Sequence, residues 1–300
     1  MKKLIIIFII LSIITAFAFI PLQIIAQMTD RHCEFETYSP EIFGVEATKI
    51  SLKTEDKLTL TAWDVEVDKP KGTVIFVSGI HSPSVTYFFG HAKMMEKNGF
   101  SSLLIELRSH GESEGNKIGL GMLEYKDVEA GVNYIKSKEE YKDLPIIVFG
   151  VSMGGATAIN SIGEIEEIDG LISLSAYSSW VDVFYDNMVS LGIPEFVATI
   201  EKPFVWLYLG FDYGFDKIKI TPENEIKKLN GRPALLMHST NDSQVPYESF
   251  ERLKEVATDE IETFIREGNY HFITYDNYGS EPWNDTEYAN AIINFLSKNF

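Results

Sequence analysis

The chain has 300 residues, 45% of them hydrophobic and 13% aromatic, which supplies a large buried core and excludes disorder over most of its length. Its 26 Lys and Arg against 44 Asp and Glu leave a formal charge of −18, which repels phosphate backbones and excludes a nucleic-acid binder. A single cysteine, Cys33, excludes an intrachain disulfide framework and a Cys-rich zinc module.

Met1, Lys2 and Lys3 precede an uncharged stretch from Leu4 to Thr29 made mostly of Ile, Leu, Phe and Ala. Such a stretch is long enough for a hydrocarbon core, which needs roughly 17 to 25 residues, and reads as a signal anchor. The alternative is a cleaved signal peptide cut after Ala26, with Ile24 and Ala26 at the small-residue positions, where Ile fits poorly. The positive-inside bias keeps Lys2 and Lys3 cytoplasmic and places the rest of the chain outside. Residues 30–47 read as a linker, and 48–300 as one α/β domain without internal repeats.

From Thr48 onward short apolar runs alternate with helical patterns. Thr48–Lys53 and Leu58–Val67 form an expected antiparallel pair, with Thr59, Thr61 and Trp63 alternating against Leu58, Leu60 and Ala62. Continuous apolar runs follow at Thr73–Val77, Ser102–Leu107, Ile146–Phe149, Leu171–Leu174 and Ala234–Met237, the mark of parallel strands buried on both faces. Helical patterns lie at Val85–Lys97, Met122–Lys138, Met153–Ile162 and Tyr247–Ala257; a short strand at Glu262–Arg266 precedes a closing helix, Thr286–Phe300. The order predicts a doubly wound, mostly parallel eight-stranded sheet with its ligand site at the strand C-termini.

The sharpest motif sits at one such C-terminus. The strand ending in Phe149 runs into Gly150-Val151-Ser152-Met153-Gly154 and then a helix, which is G-x-S-x-G in strand–turn–helix context. The glycines permit a turn too tight for a Cβ, and the turn holds the Ser152 hydroxyl exposed as a nucleophile. The Met153 amide, opening the helix, points where an oxyanion would form. A serine hydroxyl needs a base and an acid to orient that base, in the chain order Ser, acid, His on this fold. Only His238 and His271 follow Ser152. Asp242 lies in the loop after the Ala234–Met237 strand and is the expected acid. His271 lies in a loop after Glu262–Arg266 and is the expected base, leaving His238 as a structural loop residue.

These residues resemble the α/β-hydrolase superfamily, and the likeness runs from Leu58 to Phe300. It is nearest to the membrane-anchored branch around the serine-aminopeptidase-like and lysophospholipase-like hydrolases. Gly150–Gly154 matches the nucleophile elbow, His238–Pro246 the acid loop, and Gly268-Asn269-Tyr270-His271 the histidine loop. The resemblance implies a second backbone oxyanion donor after Thr73–Val77, assigned to Ile80. The usual His-Gly there is replaced by Ser78-Gly79, and His81 is expected to be a solvated loop residue. Glu106–Ser113 resembles the family segment D-x-R-G-H-G-x-S, with Glu for Asp and Ser for Gly, and reads as a structural turn beside the elbow. An insertion between Ala176 and Leu229 stands where the family carries a cap. Its helix faces are ambiguous because Pro194 and Pro203 interrupt the pattern.

The expected activity is a serine hydrolase cleaving carboxylic esters of small or lipid-like molecules, with no cofactor and no metal. Gly111–Lys117 has the wrong spacing for a phosphate loop. Two alternatives stay open: an aminopeptidase or other amide hydrolase, for which Asp182, Asp186, Glu195, Glu201, Asp212 and Asp216 offer ammonium-binding acids, and a non-catalytic binding protein on the same fold. Aromatic residues dense in the same insertion favour an uncharged acyl or aryl group.

Overall fold

In the computed structural model, which describes residues 2–81, 83–258, 260–275 and 279–300, eight strands form one sheet in the order β1-β2-β4-β3-β5-β6-β7-β8. The strands β1 (Thr48–Lys53) and β2 (Thr59–Val65) pair antiparallel, and β2 pairs antiparallel with β4 (Ser101–Ile105). Every other pairing is parallel, through β3 (Thr73–Val77), β5 (Ile146–Val151), β6 (Gly170–Leu174), β7 (Ala234–Ser239) and β8 (Glu262–Arg266). The strand C-termini of this parallel block therefore share one edge.

Alternate residues of the central strands feed two cores. Ile75, Leu103, Val148 and Leu171 pack toward α3 (Tyr125–Ser137), α4 (Met153–Glu164) and α8 (Glu248–Val256). Val74, Phe76, Leu104, Phe149 and Ile172 pack toward α2 (Phe89–Lys97) and α9 (Thr286–Asn299). Burial on both faces is why these strands read as continuous apolar runs rather than as alternation. Two expected helices start late for local reasons. The Val85–Phe88 turn, capped by the Ser84 Oγ accepting from the Thr86 amide, is 3-10 before α2 begins. The buried Glu124 carboxylate accepts from the amides of Gly119 and Gly121 and holds that stretch as a turn before α3.

The insertion between β6 and β7 is helical: α5 (Trp180–Ser190), α6 (Glu195–Tyr213) and the short α7 (Pro222–Glu225). Pro203, expected to interrupt it, lies inside α6. Its ring sits on the exposed side of the helix, while Ala198, Glu201, Val205 and Leu209 bury the other side, and that packing offsets the one lost backbone hydrogen bond.

The N-terminal run forms a continuous helix, α1 (Lys2–Thr29), whose later turns lie on the cap. Phe17 stacks on Phe204 at 6.4 Å between ring centroids, and Ile25 is buried with Val205 and Leu209. Among the described residues no helix is long and apolar enough to cross a membrane. The side chains at 2–4, 6, 7, 9–11, 13, 14, 16 and 18, which include the Lys2 and Lys3 of the topology reading, lie outside that description. Residues 30–47, expected as a linker, are laid on the domain instead. The Cys33 amide donates to the Ser109 carbonyl at 2.8 Å, Cys33 and Val45 are buried, and the His32 ring nitrogens meet the carbonyls of Gly115 and Gly111 at 2.8 and 2.7 Å.

Candidate active site

The β5 strand ends at Val151, Ser152 takes φ 58° and ψ −122°, and α4 begins at Met153. A left-handed φ at a non-glycine residue is strained, and it lifts the Ser152 side chain out of the sheet edge. The flanking glycines are dictated by close approach. A Cβ on Gly150 would lie 2.0 Å from the Gly154 carbonyl oxygen, and one on Gly154 would lie 2.5 Å from both the Val77 and Ser78 carbonyl oxygens. The elbow is thus pressed against the loop after β3. The Met153 amide opens α4 at the positive end of its dipole.

That loop is held from two sides. The His110 Nε2 lies 2.5 Å from the Ile80 carbonyl oxygen, and its Nδ1 lies 2.7 Å from the Arg108 carbonyl oxygen. Arg108 in turn forms a buried ion pair with Asp127 at 2.7 Å, and Glu106 accepts from Ser84 Oγ and the Val85 amide. The Glu106–Ser113 segment is the structural turn expected from the sequence, and its His110 anchors the Ile80 peptide. His81 departs from expectation: it is half-buried rather than solvated, and its Nε2 lies 2.8 Å from the Met28 carbonyl oxygen, which ties the end of α1 to this loop. The Ser78 hydroxyl, where the family carries histidine, is buried without a hydrogen-bond partner among the described residues.

Asp242 and His271 come together at the ends of β7 and β8. The His271 Nδ1–H donates to Asp242 Oδ2 at 2.8 Å, and Asp242 Oδ1 accepts from the amides of Gln244 and Val245 at 2.8 and 3.0 Å. Burial pushes the Asp242 carboxyl up, but the His271 hydrogen bond and the two amides outweigh it and hold the group below the usual carboxylate range. The two loops are clamped to each other, because the Tyr270 amide donates to Ser239 Oγ and the Gly268 amide to Thr240 Oγ1. A buried Arg266–Asp285 ion pair at 2.9 Å braces the histidine loop from below, with the Tyr275 amide donating to Asp285. Sequence reasoning missed Ser239, Thr240, Arg266 and Asp285. Ser239, which ends a buried strand, and Thr240, the hydroxyl residue just past it, were the available signal; the Arg266–Asp285 pairing had none.

His238, expected in a loop, is the penultimate residue of β7. It is buried, its Nε2–H donates to the Val245 carbonyl at 2.9 Å, and burial holds its imidazole below the ordinary value. It supports the acid loop from beneath and stays neutral.

A cavity of about 430 Å³ opens on Ser152, Met153 and Ile80. Its walls are the apolar side chains of Val183, Phe184 and Met188 from α5, Val245 from the acid loop, and Ile24 and Met28 from α1. A second cleft, about 450 Å³ and polar, opens on His271 between Tyr87, Asn269 and Thr274, and Gln244 borders both. None of the six cap acids lines the apolar cavity among the described residues. Asp182 pairs with Lys202 and Ser179, Asp186 with Arg252, and Asp212 with Lys117.

The sheet order, the strand–turn–helix elbow at Ser152 and the placement of the loops after β3, β7 and β8 have the arrangement of the α/β-hydrolase fold. Residues 68–211, just under half of the chain, match the family described as serine aminopeptidase, S33, and this match supports a serine hydrolase. Among relatives in sequence, the chain is 24% identical to the uncharacterized protein YqkD of Bacillus subtilis (strain 168) over 257 residues, 84% of this chain and 81% of that one. It is 24% identical to protein bem46 of Schizosaccharomyces pombe over 227 residues, 69% of this chain and 64% of that one. Among solved structures, the Pyrococcus furiosus esterase Pf2001 superposes with a TM-score of 0.68 at 24% identity, covering 91% of this chain and 98% of the esterase. The Pyrococcus horikoshii acylaminoacyl peptidase superposes at 0.62 and 15% identity, covering 88% of this chain and 44% of the peptidase.

Proposed function

We propose that this protein is a serine hydrolase that cleaves carboxylic esters through an acyl-enzyme, with Ser152 as nucleophile, His271 as base and Asp242 as the acid that orients it. His271 Nε2 takes the Ser152 Oγ proton as Oγ bonds to the substrate carbonyl carbon. The amides of Met153 and Ile80 hold the oxyanion. Collapse breaks the ester bond, and the proton on His271 passes to the departing alkoxide. A water then gives its proton to His271 and its oxygen to the acyl carbon, and Ser152 leaves with the proton returned. Asp242, ionised and bound at Nδ1, keeps Nε2 free to accept.

The ester reading rests on one observation: the cavity at Ser152 is walled by apolar side chains, and the cap acids that an amino-terminal ammonium would need are engaged elsewhere or lie off it. The polar cleft at His271 suits the leaving alcohol and the incoming water. The membrane reading belongs to the same proposal. The uncharged run from Leu4 to Thr29, folded as one helix, anchors the protein and leaves the hydrolase domain outside the cytoplasm.

Fluorophosphonate labelling followed by kcat/KM on p-nitrophenyl acyl esters and aminoacyl p-nitroanilides tests the activity. Labelling is expected in the native protein and lost in Ser152→Ala and His271→Ala, with esters turned over far faster than anilides. Efficient anilide cleavage with negligible esterase activity would replace the ester reading by the aminopeptidase one. Absent labelling in the folded native chain would favour a binding protein.

A further inference from the structure

The cap helix α6 leaves its outer side almost wholly apolar. Phe196 (68% exposed), Ile200, Pro203, Leu207 and Phe211 (80% exposed) recur along it at helical spacing. Between Phe196 and Phe211 the helix carries only two charges. Lys202 is turned into a pair with Asp182, and Glu201 is buried, its carboxyl pushed up to about 7 by desolvation. A soluble surface helix of this length ordinarily alternates charged residues onto its exposed side; this one does not.

What covers that side is indicated by α1. Phe17 lies on Phe204, Ile25 packs with Val205 and Leu209, and Asp30 and Asp212 both pair with Lys117, so the two helices run side by side in the same direction. The N-terminal half of α6 therefore points the way the N-terminal half of α1 points. The exposed α1 residues Phe19, Ile20 and Ile24 extend the apolar surface. Two residues join it to the Ser152 cavity: Ile24 of α1 and Leu191 after α5 both line the cavity and are exposed, Leu191 by 82%.

We propose that the outer side of α6 rests in a lipid bilayer beside α1, and that the cavity at Ser152 takes the acyl chain of a bilayer-resident ester through the opening between Ile24 and Leu191. The proposal rests on α1 being a membrane anchor. Contact here is apolar rather than electrostatic: the chain carries a charge of −18 and α6 presents no basic row, so seating is insensitive to salt and does not require anionic lipid.

The test uses the full chain reconstituted in phosphatidylcholine vesicles. An environment-sensitive fluorophore is attached in turn to Phe196→Cys, Phe211→Cys and, on α3's far connection, Glu140→Cys, each in the Cys33→Ser background. The first two positions are expected to emit as in an apolar medium and to be quenched by doxyl-labelled lipid, and the third to emit as in water. A water-like signal at Phe196 and Phe211, or an apolar one that lipid does not quench, as a second copy or a protein partner would produce, overturns the proposal. Independently, Phe196→Ser/Ile200→Ser/Phe211→Ser is expected to retain activity on soluble p-nitrophenyl butyrate and to lose at least tenfold on a long-chain ester embedded in the vesicles. Equal activity on both substrates relative to the native chain overturns it. Sedimentation with vesicles after a high-salt wash separates the two failures: a chain that remains bound with its α6 positions in water refutes the docking of α6 alone, whereas a chain that washes off refutes the anchor and the proposal with it.

Discussion

Replacing Asp242 by Asn tests how the acid acts. In the native site Oδ1 accepts two backbone amides, from Gln244 and Val245, and Oδ2 accepts the His271 Nδ1–H. An asparagine keeps the two amides satisfied only with its carbonyl oxygen in the Oδ1 position, which turns its NH₂ toward His271. Nδ1 must then accept, the ring proton moves to Nε2, and Nε2 can no longer take the Ser152 proton. The side-chain volume and the loop hydrogen bonds are unchanged, so the loss falls on chemistry rather than on folding. Wrong-tautomer variants of other Ser-His-Asp enzymes lose about 10⁴ in kcat, on the order of 5 kcal/mol of barrier. We expect a loss of that size here, smaller than that of Ser152→Ala or His271→Ala, with KM little changed. The assay is kcat and KM on p-nitrophenyl butyrate beside a thermal unfolding curve. Activity within tenfold of the native enzyme in a folded Asp242→Asn protein would refute the orienting role.

Three other outcomes follow from the geometry. Gly154→Ala places a Cβ against the carbonyl oxygens of Val77 and Ser78 and must push the elbow from the Ile80 loop, so kcat is expected to fall about 10²-fold, the effect of losing one oxyanion donor; unchanged turnover would mean the loop is not part of the site. The His32 imidazole, bonded through both nitrogens to the carbonyls of Gly115 and Gly111, is raised above its ordinary value by those bonds. Its contribution is complete below pH 6.5 and is lost as pH rises through the folded-state value, so the Tm gain on going from pH 8 to pH 6 is expected to shrink in His32→Ala, and an identical gain would refute the assignment. Protease added to intact cells is expected to reach the hydrolase domain, and protection until the membrane is broken would reverse the topology.

The sheet, the elbow turn and the two strand-end loops that carry Asp242 and His271 were legible in the sequence because each has a local cause. Strands buried on two faces leave uninterrupted apolar runs, and a turn that admits no Cβ leaves glycines at fixed offsets around Ser152. The pairing of Asp242 with His271 needed only chain order and strand ends to be expected. What the sequence could not supply were contacts between segments far apart in the chain. His81 reads as a loop residue until α1 is laid beside it, and His110 as part of a turn until Ile80 reaches it. Residues 30–47 carry no strong periodicity and read as a linker, yet Cys33 and Val45 are buried on the domain. Pro203 breaks a helix by local propensity, and tertiary packing of the opposite side of α6 overrides it. The wall that α1 contributes to the Ser152 cavity lies 124 residues from the serine at Met28 and belongs to the tertiary structure alone, since proximity across such a separation is set by how the elements pack and leaves no pattern in either segment.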